Sequence, residues 1–213
     1  MPLRKHNGLG LLLATFLVLG GSAAAQAPAT TPSLQELEIA DKARIALEKL
    51  PYYGPFDLIG FGVQGSTVTL YGWAYQAVNK DEAEDVVKKV PGVTRVVNKI
   101  EPLPVSMSDD RIRRAVFAKI YSDDFLQKYG TPILGLNAGR WGRRYWGRGL
   151  GAFGGFLGTE PIGNYAIHII VKGGRVTLYG TVNSDADKIK AGMDARDVFG
   201  VLGVDNQLQV VKD

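Results

Sequence analysis

The sequence predicts an α+β protein made of two αββαβ units, each with two helices packed on a small three-stranded sheet, the second carrying a long Gly/Arg/Trp-rich insert. Three observations predict it. The stretch "TVTLYGWA" at Thr67–Ala74 returns as "RVTLYGTV" at Arg175–Val182, an offset of 108 residues. At the same offset, with no gap, "PGVTRVVNKI" (Pro91–Ile100) falls on "FGVLGVDNQL" (Phe199–Leu208). Two anchors in one register indicate a duplicated structural unit. Upstream of each copy lies an amphipathic stripe, Ile39, Ala43, Leu47 and then Ile112, Val116, Ile120, but here the offset is 73. The difference leaves 35 additional residues between the first helix and first strand of the second copy.

The elements follow in the same order in both copies. Each stripe repeats at the helical spacing of one buried face. Next come the apolar runs "FDLIGFGV" and "YAIHIIV", which read as strands. Gln64-Gly65-Ser66 and Lys172-Gly173-Gly174 supply glycine-bearing hairpin turns into the second strand. There Val68, Leu70 and Ala74, like Val176, Leu178 and Val182, alternate with polar positions as a half-buried strand requires. In the first copy Ala83, Val86, Val87 and Val90 then give a second helix with acids early and lysines late, matched to the helix dipole. Pro91-Gly92 stops it, and Val93, Val96 and Ile100 lead the last strand.

The N-terminal residues read as an export signal. Arg4 and Lys5 precede the apolar run "GLGLLLATFLVLGG", and Ser22-Ala23-Ala24-Ala25 ends it as a small-residue cleavage site. The run is shorter than the ~20 residues a membrane-spanning helix needs. The expected division is a signal peptide over 1–25, a linker over 26–33, a first unit over 34–105 and a second over 108–213, with its insert at about 124–163. The expected location is the periplasm. The chain has no cysteine, which excludes disulfides, thiolate metal sites and a cysteine nucleophile. Its formal charge of +4 falls to +2 once Arg4 and Lys5 are removed, so whole-chain charge says little about partners.

Together, the strand end V-x-L-x-G (Val68 to Gly72, Val176 to Gly180) and the closing G-V-x-x-V-x-N-x-[IL] (Gly92 to Ile100, Gly200 to Leu208) resemble the BON domain. The family is named for bacterial osmotically inducible periplasmic proteins and nodulation proteins. The resemblance covers both units apart from the insert. It implies non-enzymatic modules of the cell envelope, proposed to bind phospholipid membranes or other envelope components, in envelope maintenance or stress. The shared motif residues themselves read as structural, with glycines for turns and valines and leucines for the core.

Catalytic constellations are sparse. His6 belongs to the signal, leaving His168 within a strand between Ile167 and Ile169, and no G-x-S-x-G nucleophile turn is present. The pairs Asp109-Asp110 and Asp123-Asp124 and the run Asp81–Asp85 suit helix ends and solvated faces, and no calcium-loop pattern occurs. Gly149, Gly151 and Gly154 satisfy G-x-G-x-x-G formally. Neither the strand before nor the helix after that such a loop requires is present, so the match is compositional. No enzyme, cofactor or metal site is expected.

The candidate binding residues lie in and before the insert. Between Leu134 and Gly163, Arg140, Arg143, Arg144 and Arg148 oppose Glu160 alone, and Trp141, Tyr145 and Trp146 are interleaved with them. Single-stranded nucleic acid is one match for such a composition, but export removes that partner. An anionic bilayer is a second match, since aromatic rings sit at headgroup level beside basic residues. A loop folded over its own domain is a third. Arg111, Arg113 and Arg114, expected on the non-core sides of the preceding helix with Phe117 nearby, extend the basic character. The expected partner is an anionic phospholipid surface or an envelope protein. The alternative is an adaptor for protein or peptidoglycan. The oligomeric state is left open.

Overall fold

The computed structural model describes residues 32–130 and 165–211. The first repeat runs α1 (Leu34–Leu47), β1 (Leu58–Gln64), β2 (Thr67–Ala74), α2 (Ala77–Lys88), β3 (Arg95–Pro102). The second runs α3 (Met107–Ser122), a short 3-10 turn (Gln127–Tyr129), β4 (Ile167–Lys172), β5 (Arg175–Val182), α4 (Asp185–Arg196), β6 (Gly203–Asn206), β7 (Gln209–Val210). In each repeat a hairpin pairs the first two strands antiparallel, and the second helix crosses over to bring the last strand parallel to the central one. The chain is thus mixed α+β, with four α-helices among the described residues. None of these is long and apolar enough to cross a membrane.

One expectation needs correcting. The second sheet has four strands, because its last strand is broken: β6 pairs with β5 through Leu178, and β7 resumes at Thr181. At the break the Asn206 side-chain oxygen accepts from Leu208 N at 3.3 Å, while its amide donates to Lys188 O at 2.7 Å. Asn98 does the same in repeat one, accepting from Ile100 N and donating to Lys80 O. The asparagine of the closing motif therefore ties the last strand to the helix before it.

Serines start three of the helices. Ser33, Ser106 and Ser184 each accept from the backbone N–H three residues on, and Glu36 completes a capping box with Ser33. The first-turn acid also reaches the hairpin. The Glu36 carboxylate accepts from Gly65 N at 2.6 Å, and Asp109, at the matching position, accepts from Gly173 N and Gly174 N at 2.9 and 2.8 Å. α2 departs from expectation. It begins at Ala77, so its first turn holds no acid, and Asn79 is buried there.

The expected stripes are the observed cores. Ile39, Leu47, Val68, Leu70, Ala74, Ala83, Val87 and Ile100 form one cluster. Ile112, Val116, Ile120, Ile167, Ile169, Val176, Leu178, Val182 and Leu208 belong to the other. Gly72 and Gly180 end the V-x-L-x-G motif at φ 118° and 123°. A Cβ there would stand 1.9 Å from Leu58 O or 1.8 Å from Ala166 O, so the central strand passes its hairpin partner too closely for any side chain. Leu126 and Tyr129, in the stretch assigned by sequence to the insert, are buried in the second core, and Ala166 N donates to Tyr129 O at 3.0 Å.

Candidate functional site

The predicted site residues fare differently. Arg140, Trp141, Arg143, Arg144, Tyr145, Trp146 and Arg148 lie outside the described residues. Arg111 and Arg114 are exposed on α3, as expected. Arg113 is not: it is 1% exposed, which corrects its placement on a non-core side. Its guanidinium donates to Val171 O at 2.7 Å, pairs with Asp110, and lies 5.1 Å from the centre of the Tyr75 ring. Residues 111 and 114 flank the outward side of α3, whereas 113 shares the turn toward Val116 and the core. A buried, bonded arginine is part of the framework and offers no charge to a partner.

Tyr75 belongs to repeat one, so Arg113 points to a second feature, the seam between the repeats. The loop 51–57 of repeat one reaches into repeat two. Phe56, 2% exposed, sits in the second core, with ring centroids 5.6 Å from Tyr75 and 5.9 Å from Phe117. Phe117 continues this aromatic cluster to Tyr121 and Tyr165. Ile169 N donates to Pro55 O at 2.6 Å, which covers the otherwise free edge of β4. Asp57 shapes the loop: its carboxylate accepts from Gly54 N, Tyr75 N and Asn79 Nδ2 at 3.1, 2.7 and 3.1 Å.

The outward face of the second sheet meets repeat one as well. Trp73 and Tyr179 lie 5.9 Å apart, and Lys172 sits 5.3 Å over the Trp73 ring and 3.7 Å from Glu101. His168 is 5.6 Å from Tyr53, with Nδ1 buried and unpartnered. Burial pushes its imidazole down to about 4, against a smaller contrary pull from the backbone at Asp57 and Gly54, so the ring is neutral at pH 7. Burial, with the Asp57 charge adding to it, likewise pushes the Tyr53 hydroxyl up. His168 is therefore a seam residue packed on a tyrosine.

A signal for this seam existed in the sequence. At the repeat offset, His168 and Ile170 fall on Gly60 and Gly62. Repeat one fills its own outward face, since Tyr71 lies where a Cβ on Gly60 would be, whereas repeat two carries side chains there for repeat one to cover. Ile170 is 2% exposed.

Other polar clusters are structural in form. Asp187 accepts from Tyr129 Oη, Lys128 Nζ and Ser184 Oγ at 2.7, 3.0 and 2.8 Å. Burial alone would raise its carboxyl, but these three donors outweigh it and hold it below the usual range. Among the described residues no three His, Asp or Glu groups converge as metal ligands. An open cleft lined by Tyr75, Gln76, Leu103, Pro104, Val105 and Asp110 marks the linker, and its one charged group is already paired with Arg113.

Two copies of one fold, with the V-x-L-x-G and Asn motifs performing the same tasks in each, are what a tandem module requires. The BON domain family model matches residues 36–103 and 156–212. The chain belongs to the BON domain family. No curated protein matches it. Among solved structures it is similar to the C-terminal domain of CdsD, the structural protein of the type III secretion system of Chlamydia trachomatis. That similarity has 14% identity, covers 85% of this chain and 100% of that one, and has a TM-score of 0.23. A second CdsD structure gives 13% identity, 83% and 93% coverage, and a TM-score of 0.25.

Proposed function

We propose that this tandem BON protein is a non-catalytic, periplasmic component of the cell envelope whose second repeat docks on anionic phospholipid. The observation that supports it is the exposed basic pair Arg111 and Arg114 on α3, the helix that precedes the insert, whose Arg140–Arg148 stretch holds four arginines and no acid. Each cation held near an anionic leaflet contributes about 1 kcal/mol, and the attraction is screened by salt. Trp141, Tyr145 and Trp146 would add headgroup-level contacts. The role served is envelope maintenance or stress tolerance.

Flotation with phosphatidylglycerol-containing and with pure phosphatidylcholine vesicles tests this. Salt-sensitive flotation with the first alone is expected, weakened by joint Arg111→Gln and Arg114→Gln replacement. Absence of flotation with both overturns the lipid reading, and retention on purified peptidoglycan would then move the assignment to an envelope adaptor.

A further inference from the structure

At the 108-residue offset, α2 (Ala77–Lys88) falls on α4 (Asp185–Arg196) residue for residue. Repeat one thus serves as an internal reference for what this layer needs when it faces water. The buried positions agree in kind, Ala83 with Ala191 and Val87 with Ala195. Four exposed positions do not. Repeat one carries Asp81, Asp85, Pro91 and Thr94, all exposed. Repeat two carries Ile189, Met193, Phe199 and Leu202, exposed by 61%, 61%, 98% and 78%. Core packing cannot explain this change, because none of the four side chains enters the core. Clustered apolar groups in solvent mark a contact surface.

The strip is built on rigid parts. Ile189 and Met193 are one turn apart on the outward face of α4. Beyond the helix end, Leu202 N donates to Gly174 O at 2.9 Å, which anchors the turn carrying Phe199 to the β4–β5 hairpin. The surrounding charge says what covers it. Arg175, Lys188 and Arg196 border the strip and, among the described residues, make no ion pair. Of the nearby acids, Asp197 pairs with Lys119 at 2.5 Å and Asp194 with Lys190 at 2.6 Å, while exposed Asp185 and Asp205, the latter bonded to the neutral Gln207 amide at 2.6 Å, face no cation among the described residues. An apolar centre whose unpaired border charges, three cations against Asp185 and Asp205, leave a cationic excess suits an anionic interface. A second copy meeting the same patch would bring like charges together.

We propose that α4 and the turn through Leu202 form a separate membrane-docking face. Phe199 and Leu202 enter the headgroup–acyl boundary of an anionic bilayer, and Arg175, Lys188 and Arg196 meet the lipid phosphates. The proposal rests on the bilayer reading above and assigns it a second surface, distinct from α3.

The full chain is titrated with phosphatidylglycerol–phosphatidylcholine vesicles alongside Phe199→Ser/Leu202→Thr, Ile189→Asp/Met193→Asp, and a variant with glutamine at positions 175, 188 and 196. Losing one fully inserted aromatic side chain should weaken partitioning at least about tenfold, and each lost cation roughly fivefold at low salt. Melting temperatures should stay at the wild-type value, since all four apolar side chains are exposed. Wild-type binding with unchanged partitioning in the variants overturns this face and leaves the α3 reading standing. No wild-type binding overturns both. A lowered melting temperature in the Phe199 variant would show that protein covers the strip, and vesicle-free self-association abolished by that variant would make a second copy the occupant. Either result overturns the proposal.

Discussion

His168 lies in the seam with its ring neutral, its Nδ1 unpartnered and Tyr53 against it, so acidification should act on the junction of the repeats. The folded imidazole titrates at about 4, whereas an unfolded histidine titrates near 6.5. Above about pH 6.5 neither state binds the proton and the group contributes nothing to pH dependence. Between about 6.5 and 4 the unfolded chain takes up a proton that the folded chain refuses, so stability falls as pH drops. The loss amounts to about 2 kcal/mol at pH 5 and levels near 3 kcal/mol once both states are protonated. Urea unfolding of wild type and His168→Gln at several values between about pH 7.5 and pH 4.5 isolates this share, because the carboxylates titrate alike in both. The wild-type stability curve should drop relative to the variant by about 2 kcal/mol on reaching pH 5. Parallel curves across that window would refute the reasoning, since they would mean an imidazole solvated in the folded protein and a seam open to water.

Three further substitutions test the framework. Phe56→Ala removes a repeat-one side chain from the core of repeat two and should cost about 3–5 kcal/mol in urea unfolding. A loss below about 1 kcal/mol would mean that the loop does not enter that core. Gly180→Ala, at φ 123° with Ala166 O in the way, should cost about 3 kcal/mol or more, while Gly62→Ala, with nothing within 4 Å, should stay within about 1 kcal/mol. Arg113→Ala strips a buried charge from Val171 O and Asp110 and should lower stability by about 3 kcal/mol, against less than about 0.5 for exposed Arg111→Ala. Equal effects at 111 and 113 would contradict the inward placement of Arg113.

The parts of the fold legible in the sequence are those governed by periodicity and by backbone constraint. Ile39, Ala43 and Leu47 announce a buried helical face by spacing alone. The V-x-L-x-G glycines announce a close strand approach because no other residue fits it. What stayed hidden depends on side chains meeting across long sequence separations. Arg113 reads as a surface cation until Val171 O and Tyr75 are placed beside it, 58 and 38 positions away in the chain. Phe56 sits beyond the stripe of its own repeat and reads as a loop residue until the second core receives it. The broken last strand was equally invisible: Asn98 and Asn206 make the same side-chain bonds, yet β3 runs on through Asn98 while β6 ends at Asn206, so the shared asparagine does not announce the break.

The seam also constrains where a partner can be met. Loop 51–57 covers the β4 edge, and Trp73 and Tyr53 pack on the outward face of the second sheet. Repeat two has thereby committed to repeat one the surfaces that a sheet-edge or sheet-face binder would use. Its helical layer remains turned to solvent, with Arg111 and Arg114 on α3 and Ile189 and Met193 on α4. In repeat one the matching α2 positions are acidic, Asp81 and Asp85. The duplication has therefore diverged on opposite sides of the same fold. Side chains at 168 and 170 of the second repeat are buried on its outward sheet face, and those at 189, 193, 199 and 202, where repeat one has Asp81, Asp85, Pro91 and Thr94, face away from the core, as the proposed docking face requires.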